Sequence, residues 1–254
     1  MKILFVGDIH THDYILDDIK RLDKKYKFNK IVLFGDYVDD WLSSGYDSIE
    51  TLNKIIELKN SNNKYTLLLG NHELSYLGFP CSGHQYGQEK EIENILLKNI
   101  DLFDFYTVVQ CGDKKYYCSH AGFTNEYLEN VFNQNDYDDI NYEEHLQKIN
   151  KNKLNNLFLA SLCSYMRGGS NNCSSFLWAD RKEHLYFNEN EEPIIPYQII
   201  GHTPVTHIDL NNNFIFIDTH STYRDGTPFG DKSYLGWINN CLLYTSPSPR
   251  DRSV

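Results

Sequence analysis

Three short apolar runs, each ending in glycine followed by Asp or Asn, constrain this chain more than any other feature. Residues 2–6 close on Gly7-Asp8, residues 31–34 on Gly35-Asp36, and residues 65–69 on Gly70-Asn71. None alternates polar with apolar residues, which predicts strands buried on both faces. Between them lie helical spacings: Ile15, Leu16, Ile19 and Leu22 within 13–25, then Ile49, Leu52, Ile55, Ile56 and Leu58 within 47–60, the latter capped by Asp47 or Ser48. A β-α-β-α-β order calls for a parallel sheet with right-handed crossovers. Such sheets bind ligands beyond the carboxyl ends of their strands, where these polar residues stand.

Beyond residue 100 the pattern changes. Residues 105–110 and 115–119 predict a hairpin around Gly112-Asp113, and 124–165 read as a polar helical cap or insertion. Further strands are predicted at 197–200, 205–210, 214–217 and 234–238. A main domain over 1–240 is expected, followed by a disordered tail over 241–254 whose Ser/Pro/Arg-rich end resembles a non-native scar.

With 24 Lys+Arg against 35 Asp+Glu, a net charge of −11 disfavours nucleic-acid backbones and anionic membranes as partners. No apolar run is long enough for a membrane span, and the start lacks a signal peptide's length and cleavage site, so a cytoplasmic protein is expected. The six cysteines form no CxxC pair and read as scattered reduced thiols.

Five segments carry the chemistry: Gly7-Asp8-Ile9-His10, Gly35-Asp36-Tyr37-Val38-Asp39, Gly70-Asn71-His72-Glu73, Ser119-His120-Ala121-Gly122 and Gly201-His202-Thr203-Pro204. Taken singly, each is an ordinary turn or a hydrogen-bonded histidine. Together they gather carboxylates, imidazoles and an amide at strand ends, a costly burial unless they share a partner. Divalent cations accept both nitrogen and oxygen ligands and are that partner.

In this order the segments resemble the calcineurin-like metallophosphoesterase superfamily, most closely its protein-phosphatase-type and symmetrical dinucleoside tetraphosphatase branch. The resemblance covers about residues 1–238 and implies a four-layer α/β/β/α sandwich. It also implies that Asp8 and His10 bind a first cation, that Asp36 bridges, and that Asn71, His120 and His202 bind a second. His72, oriented by Asp39, would protonate the leaving group, with Glu73 behind them. The implied reaction is attack of a hydroxide bridging two cations, Mn²⁺ by preference with Fe or Zn as alternatives, on a phosphorylated protein or small-molecule phosphomonoester. Dinucleoside polyphosphate cleavage is the enzymatic alternative, and a non-catalytic metal-bound scaffold the remote one.

One departure stands out. Asp39 is followed by Asp40-Trp41 where that branch continues Arg-Gly, so the usual phosphate clamp is missing. Arg181, Arg167 and Arg224, in that order, are expected to replace it, with Asn71 also touching substrate. In the Cys81-Ser82-Gly83-His84 segment His84 is a candidate to face substrate, whereas Cys81 is not expected to be a nucleophile; His220 is a candidate for the outer shell of the metal cluster, His12 for the rim, and His207 reads as structural.

Overall fold

The fold is described from a computed structural model covering residues 1–79, 87–132, 142–186, 192–211 and 213–245. The first half follows the expected alternation: β1 (Ile3–Val6), α1 (Asp13–Tyr26), β2 (Lys30–Leu33), α2 (Gly45–Ser61), β3 (Tyr65–Leu68) and α3 (Asn71–Tyr76). α4 (Glu89–Lys98) and β4 (Phe103–Asp104) follow, then the hairpin β5 (Tyr106–Cys111) and β6 (Lys114–Ser119). α5 (Asn125–Phe132), α6 (Tyr142–Lys151), α7 (Leu157–Ala160) and α8 (Arg181–Tyr186) come next. The chain ends in β7 (Gln198–Ile200), β8 (Asp209–Asn211), β9 (Phe214–Phe216), β10 (Tyr234–Ile238) and β11 (Cys241–Thr245).

Two sheets result, one ordered β11-β10-β1-β2-β3-β4 and the other β5-β6-β7-β9-β8. Their contact explains the unbroken apolar runs. Ile3, Phe5, Val32, Phe34 and Leu68 meet Val109, Cys118, Ile199 and Ile215 between the sheets. The alternate residues Leu4, Val6, Ile31, Leu33 and Leu67 pack instead with Ile15, Ile19, Leu52 and Ile55 of α1 and α2. On the far side Leu185 of α8 covers Ile200, Phe214 and Phe216. The layers therefore run helix, sheet, sheet, helix, as the resemblance implied. Because β1, β2 and β3 are parallel, as are β6 and β7, their motif-bearing ends emerge together.

The structure corrects several sequence expectations. Helix α2 is capped by Ser44, with Asp47 at its third position reaching back to the Ser44 N–H at 2.7 Å. The strand expected over 205–210 is confined to β8, because the Val205 N–H bonds the Asp218 carbonyl and the Thr206 carbonyl accepts from Asp231. Residues 241–245, assigned to a disordered tail, pair antiparallel with β10 throughout. Asn239 and Asn240 make the tight turn with φ of 54° and 60°, the left-handed pair that a two-residue hairpin prefers. Residues 246–254 lie outside the described residues, as does the Cys81–His84 segment. No described helix is long and apolar enough to cross a membrane.

Candidate metal and phosphoester site

The strand ends are tied together by main-chain bonds. The Ile9 and His10 N–H groups donate to the Asp36 carbonyl, and the Gly201 N–H donates to the His120 carbonyl. The His202 N–H reaches both Asp8 oxygens at 3.0 and 3.1 Å. Four motif residues take the left-handed backbone that non-glycine residues avoid: His10, Asp36, Asp39 and His202, with φ of 44°, 48°, 61° and 63°. Strain of this kind persists only where its surroundings impose it. Glu73 does so for the Asp36 turn. Its buried carboxylate accepts from Gly70 and Asp36 at 2.9 Å, from Tyr37 at 2.7 Å and from Val38 at 3.3 Å. Gly70 is required by close approach: a Cβ there would lie 2.1 Å from Asp36 Oδ1.

The imidazoles are oriented from behind. His120 Nδ1 donates to the Phe34 carbonyl at 2.7 Å, turning Nε2 toward the cluster. That Nε2 lies 2.9 Å from Asn71 Oδ1, 3.1 Å from His202 Nδ1 and 3.4 Å from Asp36 Oδ2. His10 is held alike, its Nδ1 donating to the Asp39 carbonyl at 2.6 Å and its Nε2 standing 3.7 Å from Asp36 Oδ2. Asp36, His120 and His202 thus form one compact donor group and His10, Asp36 and His72 another, sharing Asp36. His72 therefore stands closer to the first group than its assignment as a non-ligand suggests. Its Nδ1 is taken by Asp39 Oδ2 at 2.8 Å, while Asp39 Oδ1 accepts the Tyr76 hydroxyl at 2.5 Å.

Charge follows this geometry. Burial, then Asp218, raises the Asp8 carboxyl well above its usual range. Burial acts likewise on Asp36, but His120 and His72 outweigh it and hold that carboxyl well below. Burial lowers the His120 pKa, yet Asp36 and Asp8 push it up to about 10. Burial and Arg167 keep His202 neutral, and its buried Nε2 has no hydrogen-bond partner among the described residues. Lone pairs thus converge at the centre of a buried cluster, with only a proton on His120 to reconcile them. The residues fit divalent cations, which take imidazole, carboxylate and amide oxygen together.

Asp218 is a buried acid beside the site that sequence reading did not single out. It is 0% exposed, its charge raises the Asp8 carboxyl, and it accepts the Ser221 hydroxyl at 2.7 Å. Its signal was the same as elsewhere, an acid closing an apolar run, here residues 214–217, which include β9.

The donor groups open into a cavity of about 440 Å³ that is also lined by Asp39, Asp40, Trp41, Arg167 and Trp178. Arg167, not the first-ranked Arg181, is the arginine there; Thr203 Oγ1 lies 2.6 Å from its Nη2 and Asp180 Oδ2 lies 2.9 Å from its Nε. Arg181 is drawn away by Asp209, bonded from Nε at 2.8 Å, and lies over the Phe216 ring. Arg224 sits over the Trp41 ring. His12 stacks on Tyr14 and approaches Asp40 at 3.7 Å. His220 is buried against Tyr234, with the Tyr14 hydroxyl 3.2 Å from its Nδ1, and His207 is exposed beside Thr206.

The family profile described as calcineurin-like phosphoesterase matches residues 1–208. The chain belongs to the calcineurin-like phosphoesterase family. Members of this family hydrolyse phosphoesters with divalent metals, the chemistry for which this donor set is suited. A Schizosaccharomyces pombe protein named "Putative serine/threonine-protein phosphatase C22H10.04" is 34% identical over 128 residues, 48% of this chain. The match spans only 39% of the yeast protein's length. A cold-active protein-tyrosine phosphatase from a Shewanella species shares the fold at a TM-score of 0.60 and 18% identity, over 96% of this chain and 77% of that chain. A second structure titled as a cold-active protein tyrosine phosphatase gives 0.63 at 18% identity, over 96% and 76%.

Proposed function

We propose that this calcineurin-like phosphoesterase is a phosphomonoesterase working with two divalent cations, on a phosphorylated protein side chain or a small phosphate ester. Asp8, His10 and Asp36 would hold the first cation, and Asp36, Asn71, His120 and His202 the second. Mn²⁺ is the favoured ion in vitro, with Fe or Zn as alternatives. Bound there, the cations would polarise the phosphoryl oxygens and lower the pKa of a water. The observation that carries the reading is the meeting of His120 Nε2 with Asn71 Oδ1, His202 Nδ1 and Asp36 Oδ2, beside the hydrogen-bonded Asp39–His72 pair.

The chain's own groups supply the rest. Arg167, fixed by Asp180 and Thr203 at the cavity wall, meets the phosphate's negative charge. Burial lowers the His72 pKa, but before any cation is bound Asp36 and Asp39 outweigh it and push it up to about 9; with Asp36 engaged by cations, the Asp39 hydrogen bond is what favours the protonated ring. From Nε2 that proton can pass to the departing alkoxide while Asp39 holds the ring. A non-catalytic scaffold would have no use for such a pair.

The test is purified protein with Mn²⁺ on p-nitrophenyl phosphate, a phosphoserine peptide and a dinucleoside tetraphosphate. Phosphate release from the monoesters, abolished by chelation, is expected. Preferential cleavage of the tetraphosphate would replace the substrate assignment, and no turnover with any divalent cation would overturn the reading.

A further inference from the structure

The cavity has two characters. Its floor is polar, carrying His10, Asp36, Asn71 and His72, while Trp41 and Trp178 contribute aromatic rings to its lining. Trp178 is packed edge-on to the His202 ring, at 6.1 Å between centroids. Trp41 is different: it is 52% exposed although it belongs to the same cavity.

The backbone that carries Trp41 is tied down. The turn that carries it is closed by Asp40 N–H to Ser43 Oγ at 3.0 Å and by Ser43 N–H to the Asp40 carbonyl at 3.3 Å. The Thr222 hydroxyl donates to Asp40 Oδ1 at 2.8 Å, tying in the neighbouring loop. From that loop Arg224 lies over the Trp41 ring, 5.1 Å from its centroid, and forms no ion pair among the described residues. A large apolar ring is thus approached on one side by a cation and left half-exposed to solvent, at the edge of a cavity whose floor is polar. Preorganised rings of this kind bind flat partners at little cost in entropy.

Position decides which part of a substrate the ring meets. Trp41 stands two residues beyond Asp39, the residue that orients His72, and His72 faces the leaving group in the proposed reaction. We infer that Trp41 is the seat of an aromatic leaving group, making aryl phosphomonoesters, such as a phosphorylated tyrosine side chain, the preferred substrates. In an aryl ester the ring is joined directly to the departing oxygen, which suits a platform lining the same cavity as the leaving-group donor. A nucleobase is separated from its phosphate by a sugar. This inference rests on the phosphomonoesterase reading above and adds a specificity-determining residue to it.

The experiment compares kcat/KM, with Mn²⁺, on a phosphotyrosine peptide, a phosphoserine peptide of the same sequence and a nucleoside 5′-monophosphate, for wild type, Trp41→Ala and Trp41→Phe. Comparing the aryl-to-alkyl ratio of each variant with that of wild type cancels the intrinsic reactivity of aryl esters. The aryl-to-alkyl ratio should fall about tenfold in Trp41→Ala, mostly through KM, and largely recover in Trp41→Phe, as expected for loss of one aromatic contact. A ratio unmoved in Trp41→Ala, with wild type hydrolysing both peptides, overturns this inference alone. A fall confined to the nucleotide makes the stacked ring a nucleobase and overturns it likewise. Failure of wild type on every monoester sinks the underlying reading, and this one with it.

Discussion

Replacing Asp39 by Asn tests the leaving-group assignment with little disturbance to the fold. Asp39 Oδ2 holds His72 Nδ1 at 2.8 Å and Oδ1 accepts the Tyr76 hydroxyl at 2.5 Å. An amide can keep both contacts, its oxygen accepting from His72 and its nitrogen donating to the Tyr76 oxygen, because a phenol accepts as well as donates. What is lost is the negative charge. Opposite charges about 4 Å apart interact by about 4 kcal/mol at the effective dielectric of a protein site. The His72 side chain is 20% exposed, so solvent and the retained hydrogen bond recover part of that. The proton of His72 should then be lost at a pH lower by about one to two units, at 1.36 kcal/mol per unit. Activity needs this proton, so the alkaline limb of the kcat profile moves toward lower pH. At a pH above the variant's limb, kcat on an alkyl phosphate should fall by about 10²-fold or more, the range for loss of a general acid. p-Nitrophenyl phosphate needs less protonation and should suffer less. Steady-state kinetics on both esters across pH, with circular dichroism as the control for folding, makes the measurement. An Asp39→Asn enzyme with the wild-type profile on the alkyl ester refutes the assignment.

Three further outcomes follow from the same geometry. Glu73→Ala strips acceptors from four buried N–H groups, and at about 1–3 kcal/mol per orphaned donor the urea unfolding free energy should drop by at least about 3 kcal/mol; a loss under about 1 kcal/mol contradicts the clamp. Gly70→Ala drives a Cβ to 2.1 Å from Asp36 Oδ1 and should weaken Mn²⁺ binding at least about tenfold by calorimetry; unaltered affinity would remove Asp36 from the cation site. His184, 1% exposed with the Ala121 carbonyl 2.8 Å from its Nε2, is lowered by burial to about 4. The unfolded chain, with His near 6.5, binds more protons than the folded one between these values, so stability rises with pH across that window, by about 3 kcal/mol for this group. His184→Gln should flatten that part of the stability curve, and an unchanged slope would show that His184 does not titrate as described.

The sheet and the strand-end motifs were legible because both rest on local pattern. Apolar runs with no alternation have few homes other than the middle layers of a sandwich, and parallel strands bring their ends to one edge. What escaped depended on partners distant in sequence. Arg181 follows a Trp-containing segment, as a clamp residue would, yet Asp209, 28 residues away, claims its guanidinium. The strand expected at 205–210 has the right residues, but its N–H and carbonyl groups are spent on the 218 and 231 loops. β11 left a trace in Asn239-Asn240, whose readiness for positive φ marks a hairpin, but the polar tail that follows masked the short run it introduces. Asp218 repeated the signal of Asp8 and Asp36, without the glycine that made those conspicuous.

That glycine does more than turn the chain. Gly70 and Gly201 do not adopt positive φ; each is where a Cβ would strike a site carboxylate, Asp36 Oδ1 at 2.1 Å and Asp8 Oδ1 at 2.5 Å. At both positions the left-handed strain falls on the residue with chemistry, Asp36 or His202. Such conformations cost about 1–3 kcal/mol each and need a partner that imposes them. Glu73 imposes one by collecting the N–H groups of residues 36–38, and Asp8 the other by accepting the His202 N–H. Asp8 thus serves both the backbone of His202 and the polar cluster, which couples the first strand end to the last. The glycines let the carboxylates approach, the carboxylates hold the strained turns, and the turns aim the imidazoles. Each step uses main-chain hydrogen bonds already formed within the protein, so the aim of these donors is a property of the fold.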